Sequence, residues 1–328
     1  MKLSNKNDFQ ILLNKLGETR TPFFALVDYG LKNFIIEEDP LNNFNILFSF
    51  NGIKNFQSEY QKQKNHNSLK IDFEPIDIND YKKSFDQVIT EINRGNTYLC
   101  NLTFPVKLHS INSLEEMFLS ANAKYKILAD NFLVFSPETF IQINENIIST
   151  FPMKGTKTCL GDNDTEELLN NQKELDEHST IVDLLRNDLS IVAKDIKVEN
   201  FRYLDEIVDT NEKKHLQVSS KISGTLENNF LEKLGDIILA LLPAGSITGA
   251  PKHRTIEIIK NVENYNRGFY TGVGIYFDGA SLDSCVLIRF IENLNNQLIF
   301  KTGGGITNQS TLVDEYNELL GKIYVPIS

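Results

Sequence analysis

FLVFSPETFIQINENIISTF, residues 132–151, carries three short apolar runs, at 132–135, 140–143 and 147–151. Runs this short and rich in Phe, Ile and Val read as strands, and Asn144-Glu145-Asn146 closes the last two into a hairpin. Strands that follow one another with no helix between them build antiparallel sheets. Upstream, Tyr81, Phe85, Val88, Ile89 and Ile92 recur at three- and four-residue steps, which predicts a helix ending at Gly95, with a strand over 97–108 after it. Downstream, helical patterns cover 164–189, 230–242 and 251–262, the last with Pro251 in its first turn, where the missing N–H costs little. Strand-like runs at 269–277, 285–291 and 298–302 and a helix over 312–323 complete the chain. Strands thus arrive in clusters, and the expected class is α+β with sizeable antiparallel sheets. Apolar runs at 23–27 and 46–50 predict a short strand-rich section over 1–76 packed on a main domain over 77–328, with polar residues 54–70 as an exposed connection.

The 328 residues carry 33 Lys+Arg against 44 Asp+Glu, a net charge of −11, with 41% apolar and 23% charged residues. That is a globular composition whose acidity argues against nucleic acid or an anionic membrane as the main partner. It does not exclude a small anionic substrate, because a few local cations or a metal ion reverse the field inside one cleft. Cys100, Cys159 and Cys285 are too widely spaced for a disulfide framework or a zinc site, and read as reduced thiols. Residues 1–15 lack the apolar core of a secretion signal, and no run reaches the length of a membrane helix, so a cytoplasmic protein is expected.

Five features carry chemistry. Gly245-Ser246-Ile247-Thr248-Gly249-Ala250-Pro251-Lys252 lets backbone N–H groups approach an anion ahead of a helix, or is a tight turn; it lacks the Walker spacing. Gly303-Gly304-Gly305 follows a strand, where three flexible residues suggest a ligand lying close, or an ordinary turn. Glu174 with Glu177, and Glu315 with Glu318, are i,i+3 pairs, suited either to a hard cation such as Mg²⁺ or to solvated helix faces. Arg289, in the apolar run Val286-Leu287-Ile288-Arg289-Phe290-Ile291, needs an anionic partner, either a substrate carboxylate or a structural one. Lys154, in Pro152-Met153-Lys154-Gly155-Thr156, is a surface lysine or a partly desolvated nucleophile.

Taken in order, these stretches resemble the chorismate-binding enzymes, which include the large subunits of anthranilate synthase and aminodeoxychorismate synthase, with isochorismate and salicylate synthases as cousins. The resemblance spans residues 77–325. It includes Gly95-Asn96-Thr97-Tyr98, Phe135-Ser136-Pro137-Glu138, the Pro-Met-Lys-Gly-Thr stretch and Asp176-Glu177-His178. It continues through Ile181-Val182-Asp183-Leu184-Leu185-Arg186-Asn187-Asp188-Leu189, His215-Leu216, Gly245–Lys252, Arg267-Gly268-Phe269-Tyr270, Ile288-Arg289, the triple glycine and Asp314-Glu315-Tyr316-Asn317-Glu318. It implies two large antiparallel sheets flanked by helices.

The resemblance also implies roles. Glu177 and Glu318 would hold Mg²⁺ against the ring carboxylate of chorismate, supported by Glu174 and Glu315. Arg289, Tyr270 and the amides of Gly303, Gly304 and Gly305 would grip the enolpyruvyl carboxylate. Gly155, Thr156, His215, Thr248 and Lys322 would face the substrate. Glu138 matches the general acid/base for the departing hydroxyl. Lys154 discriminates, because relatives that aminate at C4 carry Lys there, whereas anthranilate- and isochorismate-forming relatives usually carry Ala. Leu99 departs from the pattern: aminating relatives usually carry Gln there, and isochorismate- and salicylate-forming relatives a lysine that activates water; an apolar side chain is no base, which counts against water as the nucleophile. The implied reaction is amination of chorismate at C4 with ammonia through a Lys154 adduct at C2, giving 4-amino-4-deoxychorismate, on the route to p-aminobenzoate and folate. Ammonia would come from a glutamine amidotransferase subunit. The rivals are an anthranilate synthase large subunit and a non-catalytic chorismate-binding subunit.

Overall fold

The structure, a computed structural model, describes residues 1–56, 71–158, 172–208 and 214–326, with backbone only for 154–158, 173–174, 205–208 and 214–217. The chain opens with β1 (Lys2–Leu3), α1 (Lys6–Glu18), β2 (Phe23–Val27), β3 (Phe34–Glu38), β4 (Leu47–Phe50), β5 (Ile53–Lys54) and β6 (Ile71–Phe73). It continues with α2 (Ile78–Asn93), β7 (Leu99–Ser110), α3 (Leu114–Ser120), β8 (Tyr125–Leu128), β9 (Phe132–Ser136), β10 (Thr139–Asn144), β11 (Ile147–Thr150) and β12 (Met153–Thr158). Then come α4 (Gln172–Ser190), β13 (Lys194–Val208), β14 (Lys214–Thr225), α5 (Leu234–Leu241), β15 (Gly249–Ala250) and α6 (Lys252–Val262). Last are β16 (Val273–Phe277), β17 (Leu282–Val286), β18 (Phe290–Leu294), β19 (Gln297–Ile306) and α7 (Leu312–Gly321).

Every pairing among these strands is antiparallel, in two sheets. A ten-stranded sheet runs β1-β3-β2-β16-β17-β10-β11-β14-β12, with β13 also on β14. A nine-stranded sheet runs β15-β7-β19-β18-β9-β8-β4-β5, with β6 also on β7. This is the α+β architecture that the strand clusters imply. Residues 1–76 give strands to both sheets, since β2 pairs with β16 and β4 with β8. They also form a helix that their apolar runs did not announce. In α1 the Asn5 side chain accepts from Asn7 N–H at the N-cap, and Phe9, Leu13 and Leu16 turn inward at helical spacing.

The predicted hairpin at 140–151 forms as β10 and β11, with Glu145 in the left-handed region at the turn (φ 54°). Helix α2 begins at Asp77, which caps Asn79 N–H, and Gly95 follows it at φ 75°. Of the helix expected over 164–189, the described part is α4; residues 164–171 lie outside the described residues.

Two strand expectations are corrected. The run 285–291 is not one strand: β17 ends at Val286 in the first sheet, Arg289 takes φ 53°, and β18 starts at Phe290 in the second. The run 269–277 begins as a turn, closed by Gly272 N–H donating to Phe269 O with Thr271 at φ 60°, and only 273–277 is extended. The chain also changes sheet at Ser136-Pro137-Glu138, between β9 and β10. The two corners lie side by side: Phe135 N–H donates to Arg289 O, and Val286 N–H to Glu138 O.

Phe24 of β2 stacks on Phe48 of β4 at 4.5 Å and meets Phe50 edge-on at 5.4 Å, which joins residues 1–56 across both sheets. Removing this buried ring leaves a cavity between the sheets. Phe24→Ala is expected to lower the unfolding free energy by about 3–5 kcal/mol in denaturant titration. Lys126 is buried under α3, donating to the carbonyls of Phe118 and Ala121, and burial lowers its pKa to about 8. Between pH 8 and the unfolded value near 10.5, the unfolded chain holds a proton that the folded one has released. The stability of the native protein relative to Lys126→Met should therefore rise with pH over that window and stay level at its lower value below pH 8, as paired unfolding curves would read.

Candidate active site

Glu138 stands at one sheet corner. Its N–H donates to Ser136 Oγ, and its carboxylate accepts from Ser246 Oγ in the short 3₁₀ turn Gly245–Ile247. That turn is held from several sides. Thr248, buried behind it, donates from Oγ1 to Ala244 O, and its carbonyl accepts from Asn101 N–H of β7. Gly249 sits at φ 121° so close to β7 that a Cβ would stand 2.0 Å from Leu99 O; no other residue fits here. Lys252 pairs with Asp188 of α4 at 2.8 Å and donates to Leu241 O. Burial raises the Asp188 pKa, and Lys252 opposes the shift.

The firmest anchor is Arg267. It is fully buried, binds both carboxylate oxygens of Glu263 (2.6 and 2.8 Å), and donates to Ile247 O, Asn101 O and Thr271 Oγ1. Its face lies over Tyr29 at 4.5 Å. Burial pulls its pKa down, but Glu263 outweighs that and raises it above the ordinary value.

The second corner carries Arg289. Its Nη1 donates to Lys322 O and its plane lies 4.5 Å from the Tyr324 ring, while burial lowers its pKa against the opposing fields of Tyr324, Tyr270 and Glu318. No carboxylate forms an ion pair with it among the described residues. Tyr270 is buried on the same side, its ring 5.9 Å from Phe290. Gly303, Gly304 and Gly305 extend β19 past its pairing with β18, held only on the β7 side at Thr103, Leu102 and Asn101. Helix α7 lies against this stretch: Thr302 Oγ1 donates to Leu319 O and Lys322 Nζ to Gly303 O. A Cβ on Gly304 would meet Glu315 Oε2 and Lys322 Nζ at 3.6 Å and Glu318 Oε1 at 3.8 Å. The missing side chain is therefore a cradle walled by two carboxylates and one ammonium. Oxygen donors of this kind fit a hard divalent cation.

The structure thus brings together Arg289, Tyr270, Gly303–Gly305, Glu315, Glu318 and Lys322 on one side, and Glu138 and Thr248 on the other. Glu177 is half-buried on α4, beside His178, whose Nε2 meets Ser220 Oγ at 2.7 Å. Among the described residues, no three His, Cys, Asp or Glu side chains converge as a metal set. The Glu174 side chain lies outside the described residues, as do the side chains of Lys154, Thr156 and His215. Their backbones are described: residues 154–156 lie on β12 and residue 215 on β14. Cys100 and Cys285 are buried free thiols; Cys159 lies outside the described residues. No helix among the described residues is long and apolar enough to cross a membrane.

Ser246 and Arg267 lie within the sequence motifs, but nothing in their local spacing marks either task. Glu263, the nearest acidic residue in sequence, four positions before Arg267 in the irregular stretch after α6, is the available signal.

Residues 32–328 match the family model for chorismate binding enzymes, and the chain belongs to that family. It is a chorismate-utilising enzyme. It is 44% identical over 333 residues to an uncharacterized PabA-like protein of Haemophilus influenzae, covering 100% of this chain and 99% of that one. It is 32% identical over 197 residues to aminodeoxychorismate synthase component 1 of Bacillus subtilis, covering 58% of this chain and 40% of that one. The fold is that of a putative 2,3-dihydroxybenzoate-specific isochorismate synthase from Bacillus anthracis, with TM-score 0.72 at 20% identity over 98% of this chain and 88% of that one.

Arg267→Met would strand a buried Glu263 carboxylate. The unfolding free energy should drop by about 3–5 kcal/mol. Arg267→Lys should recover only part of it, because a point ammonium cannot replace the two-pronged contact.

Proposed function

We propose that this chain aminates chorismate at C4 with ammonia, giving 4-amino-4-deoxychorismate. The observation that carries the reading is the setting of Lys154. It lies on β12 just before a bulge at Gly155, where pairing steps from Lys154↔Val218 to Thr156↔Gln217. Bulges of this kind re-aim the chain beside active sites. Strand β12 packs against α4, the helix of Glu177, and α4 packs in turn against the Gly245–Ile247 turn that holds Glu138 through Ser246. Lysine, metal-binding helix and general acid are thereby joined by consecutive contacts. Leu99, at the position of the water-activating lysine, is buried among apolar side chains and offers no base.

In this reading Arg289 binds the enolpyruvyl carboxylate with Tyr270 and the backbone of Gly303–Gly305, while Gly155, Thr156, His215, Thr248 and Lys322 line the remainder. Glu177 and Glu318, supported by Glu174 and Glu315, would hold Mg²⁺, which when bound supplies positive charge to the ring carboxylate. The Lys154 amine attacks C2, the ring double bond shifts, and the C4–O bond breaks as Glu138 gives its proton to the hydroxyl, which leaves as water. Ammonia then attacks C4, the double bond shifts back, and the C2–N bond breaks to release the neutral lysine. Glu138 recovers its proton from the new C4 ammonium, so the cycle closes with one water formed per amine introduced. A glutamine amidotransferase partner would supply the ammonia.

Purified protein incubated with chorismate, Mg²⁺ and an ammonium salt is expected to form 4-amino-4-deoxychorismate, identified by mass spectrometry. Glu138→Gln should lower kcat about 10²–10⁴-fold, and Lys154→Ala should nearly abolish turnover. Anthranilate with pyruvate as the products would overturn the C4 assignment.

A further inference from the structure

We infer that Lys322 is a built-in counter-cation, seated on Glu318 in the free protein, which a divalent cation must displace in order to bind. The inference rests on the reading of Glu318 as a metal ligand and concerns what occupies that oxygen beforehand. Lys322 Nζ lies 2.7 Å from Glu318 Oε1 and 3.0 Å from Gly303 O. The same ammonium, Glu318 Oε1 and Glu315 Oε2 wall the space above Gly304. One ammonium therefore stands against a two-carboxylate cradle.

Local structure dictates this placement. Lys322 is the C-cap of α7, four residues after Glu318, in the Glu-before-Lys order that favours an i,i+4 pair. A cation there also complements the carbonyl end of the helix. The backbone is pinned independently of the side chain, since Lys322 N–H donates to Glu318 O and Lys322 O accepts from Arg289. The side chain itself is free to leave: Lys322 is 32% and Glu318 53% exposed, so water can take over both charges as the pair opens. Mg²⁺ gives up its waters reluctantly and gains little from a carboxylate already paired, so an ammonium on that oxygen weakens its binding. Once displaced, the lysine remains within one side-chain length of the cradle, and an anionic ligand there regains its charge.

The test is calorimetric titration of MgCl₂ into the full chain at fixed ionic strength, without chorismate. Native protein, Lys322→Met, Lys322→Gln, Lys322→Arg and Glu318→Gln would be compared, with circular dichroism melts as a folding check. Lys322→Met and Lys322→Gln are expected to bind Mg²⁺ about fivefold to tenfold more tightly than native protein, from loss of one nearby positive charge in partly solvated surroundings. Lys322→Arg should stay within about twofold of native, because its charge is kept. Equal or weaker binding by both neutral variants, with Glu318→Gln abolishing it, would overturn the counter-cation while leaving Glu318 a metal ligand. Absence of Mg²⁺ binding in native protein and both neutral variants would overturn the metal reading, and this inference with it.

Discussion

The fully buried pair of Arg267 and Glu263 is the constraint on which the site's geometry depends. Taking two charges out of water is costly, and the cost is offset only where every remaining donor and acceptor finds a partner. Here the guanidinium spends its donors on Glu263, on the carbonyls of Ile247 and Asn101, and on Thr271. Glu263 also accepts from Thr103 N–H and Oγ1, and Lys301 donates to Arg267 O. One ion pair thereby ties together β7, β19, the turn leading into β16 and the 3₁₀ turn of Ser246. A shift of Arg267 moves the carbonyl of Ile247, then Ser246, then the carboxylate of Glu138. Residues far apart in sequence are set to within hydrogen-bond tolerance because they share one desolvated charge.

The two adjacent corners at which the chain changes sheet explain why a polar site exists between sheets whose facing sides are apolar. A strand interior uses its backbone groups in the ladder and presents alternate side chains to a core; it has no spare polar direction. At 136–138 and 287–289 the chain leaves one sheet before joining the other, and the last residue of each corner accepts a backbone hydrogen bond from the strand that leads into the other corner. Glu138 and Arg289 occupy these corners, so an acid and a cation stand at the seam without disturbing either core. The left-handed φ of Arg289 is the local cost of that turn. Loops would have carried the same groups with less precision, because nothing fixes a loop on two sides at once.

How much of this was legible follows from what each signal encodes. The α2 repeat of Tyr81, Phe85, Val88 and Ile92 reports a buried helix face directly, and the Asn144-Glu145-Asn146 turn reports a hairpin; both formed where the pattern put them. The run around Arg289 misled because apolarity records burial, not continuity: Val286 and Phe290 are buried in different sheets, and nothing in their side chains marks the turn between them. Helix α1 escaped because Phe9, Leu13 and Leu16 are sparse among polar neighbours. At the site, the glycine and glutamate motifs were visible as motifs, but the partnership of Ser246 with Glu138, or of Lys252 with Asp188, joins residues 108 and 64 apart in the chain, which no local spacing can report.

Among the described residues, the charges around the site set Arg289 apart as the cation suited to an anion. The chain is acidic overall, at −11, so a dianionic ligand must find a local reversal of field. Most cations near the site are already committed: Arg267 to Glu263, Lys252 to Asp188, Lys301 to Glu292 and Lys322 to Glu318. Arg289 differs in kind. Its partners are a neutral carbonyl and a tyrosine ring, which orient the guanidinium but leave its charge uncancelled, and burial keeps water from screening it. A desolvated guanidinium in that condition is held at a higher free energy than in water, and a carboxylate brought to it recovers the difference through two parallel hydrogen bonds. On the proposed reading, part of the binding energy for the substrate's carboxylate would thus be stored in this side chain, at a corner where the chain passes between the two sheets.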